Sequence, residues 1–372
     1  MQKFTRKTIL MVACLLVSIT AMATTKNEKD KPKPKIGLAL GGGGAKGAAH
    51  IGALKVLEEM GVKPDYIAGT SIGSIVGGLY ACGYDASEIE HTFLSQEWIS
   101  LMTDRNDGAR QKVLSKDEDG TIYIFGFPVK RGKTSQLATP EEGGPQEKGK
   151  KRFGLLRGEK VMEALDSMIC LRLGEDLTTK DANDSIRRMT VDAEDIMNAT
   201  RNEFEMTPIP FCCVAVDVEQ KSEHVFSEGK LAVAMRASMA IPGAFKPLII
   251  DSHTYVDGGM LNNLPVDVVR EMGADIVIAI DLTQNKHEGE KERKSLQETI
   301  GIGGLLDWVV SRPDLKKYKE NCADADVYIN PDLEGYGAGS FNGQAMTVMM
   351  ERGYKAADAK RKEIKKAVNR KR

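Results

Sequence analysis

Five residues without a polar break, IGLAL at positions 36–40, pass directly into four consecutive glycines and then into AKGAAHIGALKVLEEMG. An unbroken apolar run of this length suits a strand buried on both faces, as in a parallel sheet. After the glycines, apolar residues recur at 51, 54, 57 and 60 and Gly61 offers a stop, which is the spacing of a helix. The same succession comes again: PDYIAG reads as a second strand, SIVGGLYACG as a second helix ending near Gly83, and FCCVAVDV and ADIVIAIDL as further buried strands. Strands alternating with helices predict an α/β fold with a mainly parallel sheet. A chain of 372 residues, 41% of them hydrophobic, can bury a sizeable core, and 52 basic against 53 acidic residues give no electrostatic ground for nucleic acid.

The ends of the chain read differently from its middle. Lys3, Arg6 and Lys7 precede about 14 mostly apolar residues (9–22), and AMA precedes Thr24. That layout predicts a secretory signal over 1–23 cleaved after Ala23, since a bilayer span needs roughly 20 apolar residues. A lipoprotein signal using Cys14 is disfavoured, because Cys14 sits inside the apolar run. The signal predicts export to the periplasm, the outer membrane or the medium. Residues 24–34, charged and proline-bearing, read as a linker, 35–285 as the main folded domain, and 286–372 as a C-terminal helical extension packing on that domain. Its end, YKAADAKRKEIKKAVNRKR, carries nine basic against two acidic residues, and reads either as a solvated helix or as a peripheral contact with anionic lipid. From about 103 to 152 the sequence is rich in charge, Gly and Pro, an insertion that is equally a surface excursion or a flap. Five cysteines outside the signal show no CxxC pair, so they read as small buried hydrophobes, with a pair using Cys322 left open.

Gly42, Gly44 and Gly47 satisfy GxGxxG between a strand and a helix, the setting of a dinucleotide-binding fingerprint. The acidic residue such a site wants at the end of the second strand is missing: Asp65 precedes that strand, which ends in AGTS. The P-loop pattern fails as well, since Lys46 is followed by Gly47 and not by Ser or Thr. The second strand runs instead into GTSIG, residues 69–73, a GxSxG elbow in which Gly69 and Gly73 permit a tight turn around Ser71. Read blandly, Ser71 is a capping serine between glycines. In a parallel sheet with adjacent strands, however, the glycine loop and the elbow emerge at one edge. Backbone N–H groups near Gly43 and Gly44 would then face a carbonyl attacked by Ser71, which makes the glycines an oxyanion hole.

A nucleophilic serine needs a base. His50, His91, His224, His253 and His287 are the histidines of the chain, and none follows the last core strand as the base of an αβ-hydrolase does. TYVDGGMLNNLPVDVV instead brings a strand to Asp257 and then to Gly258 and Gly259, so a partly desolvated carboxylate could take the serine proton directly, unless Asp257 is an ordinary turn residue.

GGGAKG, GTSIG and DGG in this order, with ASMAIPGAFKPL before the last, resemble the patatin-like phospholipase family over roughly residues 35–282, and DVYINPDLEGYGAGSF to GYKAAD extend the likeness more weakly. The resemblance implies a three-layer α/β/α sandwich and a Ser–Asp dyad. Ser71 would be the nucleophile, Asp257 the general base and acid, and the amides of Gly42, Gly43 and Gly44 the oxyanion hole, with Lys46, Gly47, Gly69, Gly73, Gly258 and Gly259 as supporting motif residues. It implies a phospholipid or other acyl-ester lipid as substrate and neither metal nor cofactor. The reaction expected is lipid acyl hydrolysis of the phospholipase A or lysophospholipase type. The alternatives are a general esterase or thioesterase and a catalytically silent lipid-binding protein.

Overall fold

A computed structural model describes residues 33–102, 114–116, 122–124, 127–129, 156–174, 193–198, 201–284 and 315–370. Lys35–Val368 forms one compact unit that carries every element described. The predicted signal, nearly all of the linker and His287 lie outside the described residues. So does the predicted insertion, apart from three short strands, Leu114–Lys116 (β3), Ile122–Ile124 (β4) and Phe127–Val129 (β5), which form a separate antiparallel sheet.

The main sheet is built on Ile36–Leu40 (β1), Tyr66–Thr70 (β2), Phe211–Asp217 (β6) and Ile276–Ile280 (β10), all mutually parallel in the order β10-β1-β2-β6. Val327–Ile329 (β11) continues it beside β10, while Ser222–Phe226 (β7), Leu248–Ile250 (β8) and His253–Asp257 (β9) complete it with antiparallel pairings. Each parallel strand sends alternate side chains to opposite faces, as the two-residue period requires. Leu38, Leu40, Ile67, Phe211, Cys213, Ile278 and Ile280 enter one buried cluster. Ala39, Ala68, Cys212, Val214, Val277 and Ala279 enter the other.

Helices cover both faces. On the larger side lie Ala48–Glu59 (α1), Ile72–Ala81 (α2), Ala86–Ser95 (α3), Trp98–Met102 (α4), Glu159–Leu173 (α5), Ala193–Asn198 (α6), Leu231–Ser238 (α7), Gly343–Asp358 (α10) and Arg361–Val368 (α11). On the other lie Val266–Glu271 (α8) and Leu315–Asp324 (α9). The result is helices on both faces of a mainly parallel sheet, the α/β class expected. The C-terminal part brings a strand as well as helices, because β11 joins the sheet beside β10. The basic helix expected over its end is two helices, and Ala357, Ile364 and Ala367 are spent in the core. All five described cysteines are free, three of them buried. No helix among the described residues is long and apolar enough to cross a membrane.

Candidate active site

Register brings the two predicted side chains together. β2 runs parallel to β6 and ends with Thr70 opposite Val214, while β9 runs antiparallel to β6 and ends with Asp257 opposite Ala215, the next residue along. Because β7 pairs with residues 213–217 of β6, it occupies the other edge, so β2 and β9 share one edge and meet end to end. At that junction the Ser71 hydroxyl donates to Asp257 Oδ2 at 2.7 Å. Both residues are buried, 2% and 1% exposed.

The elbow at Ser71 is strained. Its φ of 55° and ψ of −123° lie where residues other than glycine are seldom found. The turn is possible because a Cβ on Gly69 would strike the Gly73 carbonyl and one on Gly73 the Leu40 carbonyl, so only glycines fit on either side. α2 starts at the next residue, with the positive end of its dipole directed at the site.

Neighbouring segments hold the elbow in place. The Ser71 N–H donates to Ser238 Oγ at 2.8 Å, and that hydroxyl donates to Val214 O at 2.6 Å. The Asp257 N–H donates to Ala240 O at 2.9 Å, so the segment that opens ASMAIPGAF grips both members of the pair. Gly259 N–H donates to Asp257 Oδ1 at 2.7 Å and orients the carboxyl. Complete burial outweighs these hydrogen bonds and pushes the Asp257 pKa up to about 6.

The glycine loop is clamped through its first two residues. Gly41 donates to Ile280 O at 3.0 Å and its carbonyl lies 2.8 Å from His50 Nε2. Gly42 donates to Asn263 O at 3.1 Å, and Asn263 Nδ2 returns a longer contact of 3.4 Å to Gly42 O. The Gly42 amide is thus engaged away from the serine, and its contribution is room: a Cβ there would lie 3.2 Å from Ser71 Cβ. Ala45 donates to Ala338 O at 2.8 Å, which anchors the far end. For the amides of Gly43 and Gly44, between these anchors, no acceptor is found among the described residues. Lys46 and Gly47 lie in the adjoining helical turn, with Lys46 buried and Gly47 packed against Ile72.

The histidines stand elsewhere. His50 is buried behind the glycine loop, and desolvation lowers its pKa to about 4, so it is neutral. His253 donates from Nδ1 to Asp217 at 2.7 Å, and His224 packs against the rings of Phe226 and Tyr255. Two clusters of described residues have metal-ligating side chains, Asp166 with Cys170 and Glu203, and Asp217 with Glu219 and His253. The first is filled by the Lys230 ammonium, which pairs with Asp166 at 2.9 Å and with Glu203. In the second, Asp217 is engaged by His253 and Glu219 by Thr254. Neither includes Ser71 or Asp257.

Sequence reasoning missed Ser238, Ala240, Asn263 and Ala338. The first two lie in a stretch singled out without a role. Asn263 acts across 221 positions of sequence, which no local pattern reveals.

The site is thus a serine on a strand-to-helix elbow, hydrogen-bonded to an aspartate at the sheet edge beside a glycine loop, in an α/β protein. The chain belongs to the patatin-like phospholipase family, whose model matches residues 38–270. Human patatin-like phospholipase domain-containing protein 6 is 33% identical over 243 residues, 65% of this chain and 13% of its own length. An uncharacterized NTE family protein of Mycobacterium tuberculosis is 28% identical over 240 residues, covering 64% of this chain and 47% of that protein. The chain therefore matches less than half the length of either relative. The crystal structure of VipD from Legionella pneumophila superposes with a TM-score of 0.51 at 14% identity, over 90% of this chain and 67% of that one, a likeness of fold.

Proposed function

We propose that this protein hydrolyses carboxylic esters of lipids, as a phospholipase A or lysophospholipase, through a Ser71–Asp257 dyad and an acyl-enzyme. The observation that carries this reading is the 2.7 Å hydrogen bond from Ser71 Oγ to a buried carboxylate with an elevated pKa, beside unengaged loop amides. Asp257 Oδ2 takes the hydroxyl proton as Ser71 Oγ bonds to the ester carbonyl carbon. The carbonyl oxygen gains the charge and is met by the N–H groups of Gly43 and Gly44 and the start of α2. Collapse expels the alcohol, which leaves with the proton from Asp257. Water then attacks the acyl-serine, with Asp257 taking its proton and returning it to Ser71, and the fatty acid departs.

Direct proton transfer to a carboxylate suits a base of pKa about 6 better than one near 4, because the ideal catalytic pKa lies close to the operating pH. The experiment is hydrolysis of phospholipid and lysophospholipid vesicles, with labelling by a fluorophosphonate probe, in the wild type, Ser71→Ala, Asp257→Asn and the double variant. Wild-type labelling and fatty-acid release are expected, with both single variants inactive and the double variant scarcely worse, as for residues acting as a unit. A wild type that binds vesicles yet neither labels nor releases fatty acid would make it a silent lipid-binding protein. Turnover undiminished in either single variant would dissolve the dyad.

A further inference from the structure

The cavity beside Ser71 is walled from both ends of the sequence. Gly44 and Ser71 line it together with Ile75, Trp98, Phe245 and Phe341. Among the described residues, no charged side chain lines it. An ester's alcohol side, which in a phospholipid carries the charged headgroup, is therefore a poor occupant, and the acyl chain a good one.

Phe341 comes from the loop 335–341, beyond the family-matched residues 38–270. The same loop holds the glycine loop: Ala338 O accepts the Ala45 N–H at 2.8 Å, and Ala338 packs so closely that a Cβ on Gly44 would lie 2.9 Å from its own. One short C-terminal loop thus touches both the oxyanion-binding turn and the apolar cavity. Another lining residue, Trp98, is fixed, its Nε1–H donating to Phe93 O at 2.8 Å and its ring 4.8 Å from that of Phe93. Phe341 is half-buried on a loop, so it is the wall that can yield.

The cavity as it stands holds only about 40 Å³. Roughly 10–15 Å³ of such space holds one water, so there is room for only a few water-sized groups, and a long acyl chain fits only if a wall moves. We propose that Phe341 is the specificity-determining residue of the acyl-chain site and sets the longest chain that Ser71 accepts. The proposal rests on Ser71 being the nucleophile, and its test is arranged so that the two can fail separately.

In a hydrophobic pocket each methylene admitted or refused changes selectivity by roughly tenfold or more. The experiment measures kcat/KM for 4-nitrophenyl esters of increasing acyl length with the wild type, Phe341→Ala, Phe341→Leu and Phe341→Trp, each normalised to active sites titrated with a fluorophosphonate. Phe341→Ala is expected to raise the ratio of long-chain to short-chain kcat/KM by about tenfold or more, Phe341→Leu to raise it less, and Phe341→Trp to lower it. The leucine variant keeps the loop filled, so the trend stays readable if the alanine variant disturbs the glycine loop. Equal ratios in the wild type and all titratable variants would overturn the role of Phe341 while leaving the dyad standing. A wild type that neither titrates nor hydrolyses any ester would overturn the dyad, and this inference with it.

Discussion

In the proposed dyad the carboxyl of Asp257 acts as a base where ionisation is costly. Burial raises its pKa to about 6, while the unfolded chain ionises near 4. Between those values the folded protein holds a proton that the unfolded chain has released, so stability falls as pH rises through the window and is lowest above it. The cost at pH 8 is about 3 kcal/mol. Asp257→Asn avoids it without leaving a group orphaned, since the amide oxygen can accept from Gly259 N–H and the NH2 can donate to Ser71 Oγ. The variant is expected to be inactive and more stable than the wild type toward urea at pH 8, with the difference gone at pH 4. In the wild type, kcat/KM should be full well above pH 6 and fall in acid with an inflection near 6. A pH profile flat from 8 to 5 would remove Asp257 as the base, and a variant no more stable at pH 8 would mean that its carboxyl is better solvated than its burial implies.

At the level of elements, the glycine loop between β1 and α1 is tied at its ends through Gly41, Gly42 and Ala45, and the proposed mechanism uses its middle. A Cβ on Gly43 would stand 2.9 Å from Leu282 Cδ1 and 3.0 Å from Leu282 Cβ, so Gly43→Ala must shift the loop and tilt its amides. Loss of one oxyanion donor lowers rate by roughly 10² to 10³, so kcat for a soluble ester should drop by that order with little change in KM. A rise in KM at constant kcat would mean that the loop shapes binding alone. The sequence spells out this element well, because β1 is an unbroken apolar run and α1 keeps a 3.6-residue period from Ala48 to Glu59, with Gly61 past its end at a φ of 68°. α2 is read with its start at 74 but begins at Ile72, since the strained elbow launches the helix directly from Ser71 with no side-chain cap to announce it. β7 escapes pattern reading because all five of its residues are half-buried, and β8 and β11 are three residues long. The clamps Asn263 and Ala338 escape it for a different reason: they are more than 200 residues away in sequence and reach the glycines only after the sheet has closed.

For the molecule as a whole, the remaining question is how an enzyme of this kind would stay near a lipid surface when its net charge is −1 and its apolar residues are largely committed to the core. The basic C-terminal end offers charge without an apolar face. On α11, Ile364 and Ala367 point inward and are buried, while Lys362, Lys365 and Lys366 are exposed. Any attachment through this helix is therefore electrostatic, each lysine near an anionic surface adding on the order of 1 kcal/mol. Deleting the segment would be a poor test, because it would strip Ile364 from the core. Replacing Lys362, Lys365 and Lys366 together with Gln removes charge and spares packing. At low salt the triple variant is expected to bind vesicles rich in anionic phospholipid about a hundredfold more weakly, by cosedimentation, and to hydrolyse them more slowly, with soluble-ester turnover unchanged. Raising salt shortens the Debye length from about 30 Å at 0.01 M to about 3 Å at 1 M, so wild type and variant should converge there. Equal binding at low salt would assign the lysines to solvation of the helix and leave the substrate itself as what holds the protein at the membrane.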